Sequence, residues 1–171
     1  MRGERSTSIT LGFAAKDAVA IERKEKIHLT NWAKNKLDSD SPEKLVIDSN
    51  GVGAGVYSNL KEEGHPVIGF RGGESPLMLS EEAKFANLKS QAYWNLRSLF
   101  EKGEIKIQKA PNFKKLVSEL STIKYDFDSK GKIIVKREKD KKSPDFADAL
   151  SLCCFGPYLS AQKLGVALVD I

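Results

Sequence analysis

Leu45-Val46-Ile47-Asp48-Ser49-Asn50-Gly51-Val52-Gly53-Ala54-Gly55-Val56 sets an apolar run, a carboxylate and three alternate glycines in immediate succession. Its apolar opening, without polar alternation, suits a strand buried on both faces of an α/β sheet, which leaves Asp48 at the strand's carboxyl edge. Open α/β sheets place their ligands at that edge. The alternate glycines lead into an amphipathic helix over about residues 53 to 63, with Val56 and Leu60 on one face and Glu63-Gly64 as its stop. Val67-Ile68-Gly69-Phe70 is the next strand. A helix crossing between two strands makes them parallel, so a βαβ unit is expected.

Toward the amino end, Ile9, Leu11 and Phe13 alternate with small or polar residues, and residues 18 to 21 and 27 to 29 repeat that character. With turns at residues 15 to 17 and 23 to 26, this predicts an antiparallel meander, followed by a short helix over residues 32 to 37. Toward the carboxyl end, residues 71 to 79 read as loop. A long helix is expected from a Ser80 cap to about Lys102, ending at Gly103, with Phe85, Leu88, Ala92, Leu96 and Leu99 at helical spacing. Residues 104 to 107 suggest a short strand, and residues 112 to 120 a helix with Phe113, Leu116, Val117 and Leu120 inward. Residues 123 to 127 and 133 to 135 flank Ser129-Lys130-Gly131 as a β-hairpin. The last helix opens with Ser143 as cap and Pro144 at its first position. The fold class is therefore α/β: a mixed central β-sheet, antiparallel meander plus parallel strands, flanked by α-helices, in a single domain spanning residues 1–171.

A chain of 171 residues can bury a core without staples. Cys153 and Cys154 are adjacent in an apolar helical pattern, so they pair poorly with each other, and a reducing cytoplasm fits. No apolar run reaches membrane-spanning length, and the amino end lacks a signal-peptide layout, so no membrane partner is expected. The net charge of +5 is compatible with a polyanionic partner. Its distribution is more telling: Lys130, Lys132, Lys136, Arg137, Lys139, Lys141 and Lys142 crowd together just before Asp145 and Asp148. The tract is read either as a solvated loop or as a phosphate-contacting one, and its position favours the latter.

Asp48 by itself also suits a strand-end turn, and Asp145 suits any first helical turn, where the helix dipole favours a carboxylate. Asp148 lies on the flank of the stripe formed by Phe146, Ala149, Leu150 and Cys153. If that helix packs near the end of the Asp48 strand, two carboxylates about 4 Å apart repel by roughly 1 kcal/mol in water and about 4 at an effective dielectric near 20. A shared proton or a cation relieves this. Oxygen donors suit Mg²⁺ or Mn²⁺, whereas His28 and His65 read as structural and no zinc cluster is evident. Two such ions roughly 3.5 to 4 Å apart activate a water and stabilise the leaving oxygen of a phosphodiester. The glycine run also suggests a dinucleotide-binding turn, but Val56 stands where that fingerprint wants glycine or alanine, and no P-loop motif occurs. Tyr93 and Trp94 are the one close aromatic pair in the long helix, read as core or partner contacts.

Val46-Ile47-Asp48-x-x-Gly51-Val52-Gly53-Ala54-Gly55-Val56 and Ser143-Pro144-Asp145-x-Ala147-Asp148-Ala149-Leu150, with the long helix and basic hairpin between them, resemble the nuclease domain of tailed-phage terminase large subunits. The resemblance covers nearly the whole chain. It implies an RNase H-like fold and a metal-dependent endonuclease that cuts concatemeric double-stranded viral DNA by a two-ion Mg²⁺ or Mn²⁺ mechanism in the bacterial host cytoplasm. Asp48 and Asp148 would be metal ligands, Asp145 an auxiliary one, and Lys136, Arg137, Lys139, Lys141 and Lys142 phosphate contacts. Implied partners are the portal protein, the small terminase subunit and a separate ATPase domain.

The family's first acid sits on strand one, ahead of a segment resembling Gly3-Glu4-Arg5-Ser6-Thr7, so that strand is expected to be truncated here, and neither Glu4 nor Asp17 matches the missing position. The chain is accordingly expected to be a fragment, a mis-started reading frame or a prophage remnant lacking the ATPase domain. Two other readings share these residues: a catalytically inactive DNA-binding or assembly module, and another RNase H-like nuclease such as a junction resolvase.

Overall fold

In the computed structural model the Asp48 strand, β3 (Leu45–Asp48), pairs in parallel with β4 (Val67–Phe70), Asp48 opposite Phe70, and α2 (Val52–Glu62) crosses between them. The structure describes residues 8–15, 18–25, 29–77, 84–105, 107, 112–136 and 143–163. Leu45 and Ile47 bury one face of β3 against Val56 and Leu60 of α2 and against Ala33 and Leu37 of α1 (Leu29–Asp40). Val46 turns to the opposite face, where Gly156 comes close enough that a Cβ there would lie 3.1 Å from Val46 Cγ2. A strand covered on both faces has no use for polar alternation, hence its unbroken apolar sequence.

An antiparallel hairpin, β1 (Ser8–Ala15) and β2 (Ala18–Glu25), lies beside β3. β2 continues through residues 23 to 25, where the charges suggest a turn. Of the third strand expected over residues 27 to 29, Leu29 belongs to α1, and residues 27 and 28 lie outside the described residues. α3 (Leu88–Lys102) starts later than Ser80: Asn87 caps it by accepting from Ser90 N at 2.9 Å, and Phe85 is bridged to Ile133. Ser80 itself lies outside the described residues.

Glu104 and Ile105 are loop and Ile107 is a lone bridge residue, so the short strand expected there is not formed. In α4 (Phe113–Leu120) Leu116 is buried, but Val117, expected inward, is 48% exposed. The hairpin is present as β5 (Lys124–Phe127) and β6 (Ile133–Lys136), with Tyr125 opposite Val135.

The last helix, α5 (Asp145–Lys163), is the spine of the molecule and packs on β1, β2, β3, β4, α3 and α4. Phe146, Ala147 and Leu150 meet Tyr93, Leu96 and Leu116, while Leu152, Phe155 and Leu159 meet Ile68, Phe70, Leu88 and Ala92. Each fully buried side chain of this size contributes about 1.5 to 3 kcal/mol. The first turn of α5 is thereby set against the middle of α3. Among the described residues no helix is long and apolar enough to cross a membrane.

Candidate active site

At the end of β3 the backbone turns sharply. Asp48 Oδ1 accepts from Asn50 N at 3.1 Å and from Asn50 Nδ2 at 2.9 Å, which fixes the exposed carboxylate over the turn. Ser49 turns inward and ties the turn to β4, its N and Oγ both donating to Phe70 O at 2.8 and 3.0 Å. Gly51 adopts a φ of +58°, and a Cβ on Gly53 would lie 1.8 Å from the Asp48 carbonyl oxygen. These two glycines let the helix begin directly against the carbonyl of Asp48.

The second acid comes from α5. Asp148 N donates to Pro144 O at 2.8 Å, so Pro144 occupies the capping position and Asp145 begins the helix. Ser143 is exposed and is not the cap expected from the sequence. Its place is taken from a distance: Glu119 Oε2 accepts from Phe146 N at 2.7 Å and Ala147 N at 3.1 Å. Burial raises the Glu119 carboxyl pKa, and these two N–H groups oppose the rise.

Two side chains one turn apart on α3 grip Asp148. Its Oδ1 accepts from Tyr93 Oη at 2.7 Å and pairs with Lys89 Nζ at 2.7 Å. Burial, and then the negative charge of Asp148, push the Tyr93 phenol far above its ordinary pKa, so it stays a donor. Sequence reasoning noticed Tyr93 only as an aromatic and passed over Lys89 and Glu119. The four-residue spacing of Lys89 and Tyr93 is the signal that they share a helix face.

Asp48 and Asp148 line one cavity of about 230 Å³ together with Asn50, Phe70, Gly72, Lys89 and Tyr93. The hydrogen bonds to these two carboxylates reach Oδ1 of each, and the Lys89 contact reaches Oδ1 of Asp148. The Lys89 ammonium offsets one of the two negative charges. Asp145 is half-buried on the same helical turn and does not line this cavity, though its charge contributes to the raised pKa values of Tyr93 and Glu119. Lys136 pairs with Asp126 at 2.6 Å and holds that carboxyl below its usual pKa. Arg137, Lys139, Lys141 and Lys142 lie outside the described residues.

No group of three His, Cys, Asp or Glu gathers among the described residues. His65 sits 3.5 Å from Glu63, away from the cavity, and His28 is outside the described residues. Cys153 and Cys154 are unpaired thiols whose burial pushes their pKa values up to about 12 and about 11.

With β3, α2 and β4 as a parallel βαβ unit and α5 packed against it, this chain has the fold of phage large-terminase nuclease domains, a mixed α/β fold. The nuclease domain of the large terminase subunit gp2 of bacterial virus Sf6, in a mutant form with manganese and beta-thujaplicinol, superposes with a TM-score of 0.66 at 21% identity, covering 86% of this chain and 87% of that one. The large terminase nuclease of thermophilic phage G20c with bound magnesium gives a TM-score of 0.54 at 21% identity, over 88% of this chain and 81% of the other. For the nuclease domain of Thermus phage P74-26 the values are 0.51, 19%, 86% and 78%. No protein-family model matches the sequence, and neither does any curated protein.

Proposed function

We propose that this chain is a divalent-metal-dependent DNA endonuclease of the genome-packaging terminase type, its 171 residues acting as one nuclease domain. One observation carries the reading: Asp48 and Asp148, about a hundred residues apart in sequence, line one cavity, each held there through its Oδ1. The donor set fits Mg²⁺ or Mn²⁺, ions that are held by one or two carboxylates and complete their coordination with waters and phosphate oxygens. The solved Sf6 and G20c domains carry manganese and magnesium, in agreement with that choice.

Bound between these carboxylates, a pair of such ions would supply an activated water and neutralise the leaving oxygen of a phosphodiester. The protein's own part is orientation. Asn50 clamps Asp48, and Lys89 with Tyr93 clamps Asp148, so the two carboxylates need little reorganisation. Asp145 takes an auxiliary role one turn away. Lys136, Arg137, Lys139, Lys141 and Lys142 contact phosphates as the duplex passes the hairpin. The substrate is concatemeric double-stranded DNA, with the ATPase domain, small terminase subunit and portal protein as partners in packaging.

Supercoiled plasmid and Mn²⁺ test this directly. We expect Asp48→Ala and Asp148→Asn to lower nicking by more than about a hundredfold, beyond what losing an outer-shell partner costs. Equal nicking by wild type and Asp48→Ala would sink the assignment. Salt-sensitive DNA binding without metal-dependent cleavage would mark a silent binding module instead, and preference for branched DNA a junction resolvase.

A further inference from the structure

A second cavity, about 430 Å³, opens between α3 and the β5–β6 hairpin, and Tyr93 forms a wall of both this cavity and the acidic one. Trp94 and Tyr125 line it, and they belong to a row of rings that extends beyond it at both ends. Phe85 and Trp94 are 6.2 Å apart, Trp94 and Tyr125 5.4 Å, and Tyr125 and Phe127 6.2 Å, so the row passes from the core to open solvent. Tyr125 is 52% exposed and Phe127 60%, both on β5, a strand exposed at every residue. The Arg97 guanidinium lies 4.6 Å from the Trp94 ring centre and 5.7 Å from that of Tyr125.

Charge indicates what covers this row. The nearby acids are already engaged: Glu101 by Arg97 at 2.8 Å, Asp126 by Lys136 at 2.6 Å, and Asp128 by the backbone N–H groups of Lys130 and Lys132 at 2.8 and 2.9 Å. The ammonium groups of Lys130 and Lys132, on the turn beyond Phe127, are in no salt bridge among the described residues. Their charge acts on the Asp128 carboxylate, one acid against two lysines, which leaves net positive charge beside the exposed rings. That combination matches a ligand with flat π-faces on an anionic backbone. A duplex keeps its base faces stacked away from such a surface. An unpaired strand does not.

We propose that the exposed face of the β5–β6 hairpin beside this cavity binds single-stranded DNA flanking the cleavage site, with bases stacked on Tyr125 and Phe127 and phosphates on Lys130 and Lys132. The proposal rests on the nuclease reading in taking DNA as the ligand. The buried Tyr93 walls both cavities, so the aromatic one lies next to the acidic one.

The test is fluorescence anisotropy with a labelled oligothymidylate of about 12 nucleotides in EDTA, so that no cleavage intervenes. We expect Tyr125→Ala combined with Phe127→Ala to weaken single-strand binding about tenfold or more, with duplex affinity changing less than about twofold and Tyr125→Phe retaining binding. Both side chains are exposed, so the fold should survive. In a Trp32→Phe background Trp94 becomes the sole indole and its emission should be quenched by the oligonucleotide. Unchanged single-strand affinity in the double alanine variant, binding of duplex alone, or a Tyr125-dependent dimer in sedimentation would each overturn the proposal. Asp48→Ala should bind the single strand like wild type. Loss of Asp48-dependent nicking as a finding thus leaves this result standing, and loss of the single-strand preference leaves the nicking result standing.

Discussion

Asp148 owes its position to two donors from one face of α3, and removing either one isolates its effect. Tyr93→Phe keeps the buried ring and deletes the hydroxyl that donates to Asp148 Oδ1 at 2.7 Å. A hydrogen bond to a charged, partly buried group is worth about 1.5 to 3 kcal/mol, so a loss near the lower value is expected in urea denaturation. Gly53 and Gly55 make a sharper contrast two residues apart. Gly53→Ala forces a Cβ to within 1.8 Å of the Asp48 carbonyl oxygen, whereas a Cβ on Gly55 meets nothing within 4 Å. We expect Gly53→Ala to cost about 3 kcal/mol or more. Gly55→Ala should stabilise α2 by about 0.5 to 1 kcal/mol, because the helix interior no longer carries glycine's extra chain entropy. Thermal unfolding of the two variants measures both.

At the scale of elements, α5 begins where α4 allows it to. Glu119 replaces a local cap, and its burial gives the cap a pH dependence. Folding raises the Glu119 pKa above its ordinary 4.5, so the folded state binds the proton more tightly. Its contribution is then fully present below pH 4.5 and is lost as pH rises through the raised value. Asp126 and Asp128 run the other way: their lowered values give stability that is present above 3.8 and lost as pH falls. Glu119→Gln keeps an acceptor without the charge. We therefore expect the difference in unfolding free energy, variant minus wild type, to grow as pH rises from 4.5 toward neutrality. A flat difference would mean that Glu119 caps α5 without cost.

For the whole molecule the net charge of +5 matters more than any single lysine. Lys136 is engaged by Asp126, so the proposed duplex binding would draw on the surrounding basic tract as a set. Affinity for duplex DNA should fall linearly on a logarithmic salt scale, with a slope of about −0.9 for each phosphate neutralised. Lys139→Gln with Lys141→Gln should flatten that slope by about 2 in a titration from low to moderate salt.

Some of this architecture is written locally. A strand covered on both faces must be apolar throughout, and a helix crossover forces its neighbour to be parallel, so β3, α2 and β4 are legible, as is the pattern that makes α5 a helix. Asp48 and Asp148 stand out because each carboxylate interrupts or flanks an apolar pattern. Other features depend on partners far along the chain. Ser80-Glu81-Glu82 has the form of a helix start, yet α3 begins at Leu88, because Phe85 is claimed by Ile133 and Asn87 supplies the cap. Val117 fits an inward stripe, yet nothing in α5 reaches over to cover it.

Hydrophobic periodicity and chain stiffness act over a few residues, so β3, α5 and the acids they carry can be read from local sequence. That Asp48 and Asp148 line one cavity, and that Lys89, Tyr93 and Glu119 hold Asp148 and its helix, depends on how the elements pack. Those contacts span 55 residues from Tyr93 to Asp148 and 27 from Glu119 to Phe146, and packing of the whole core selects them.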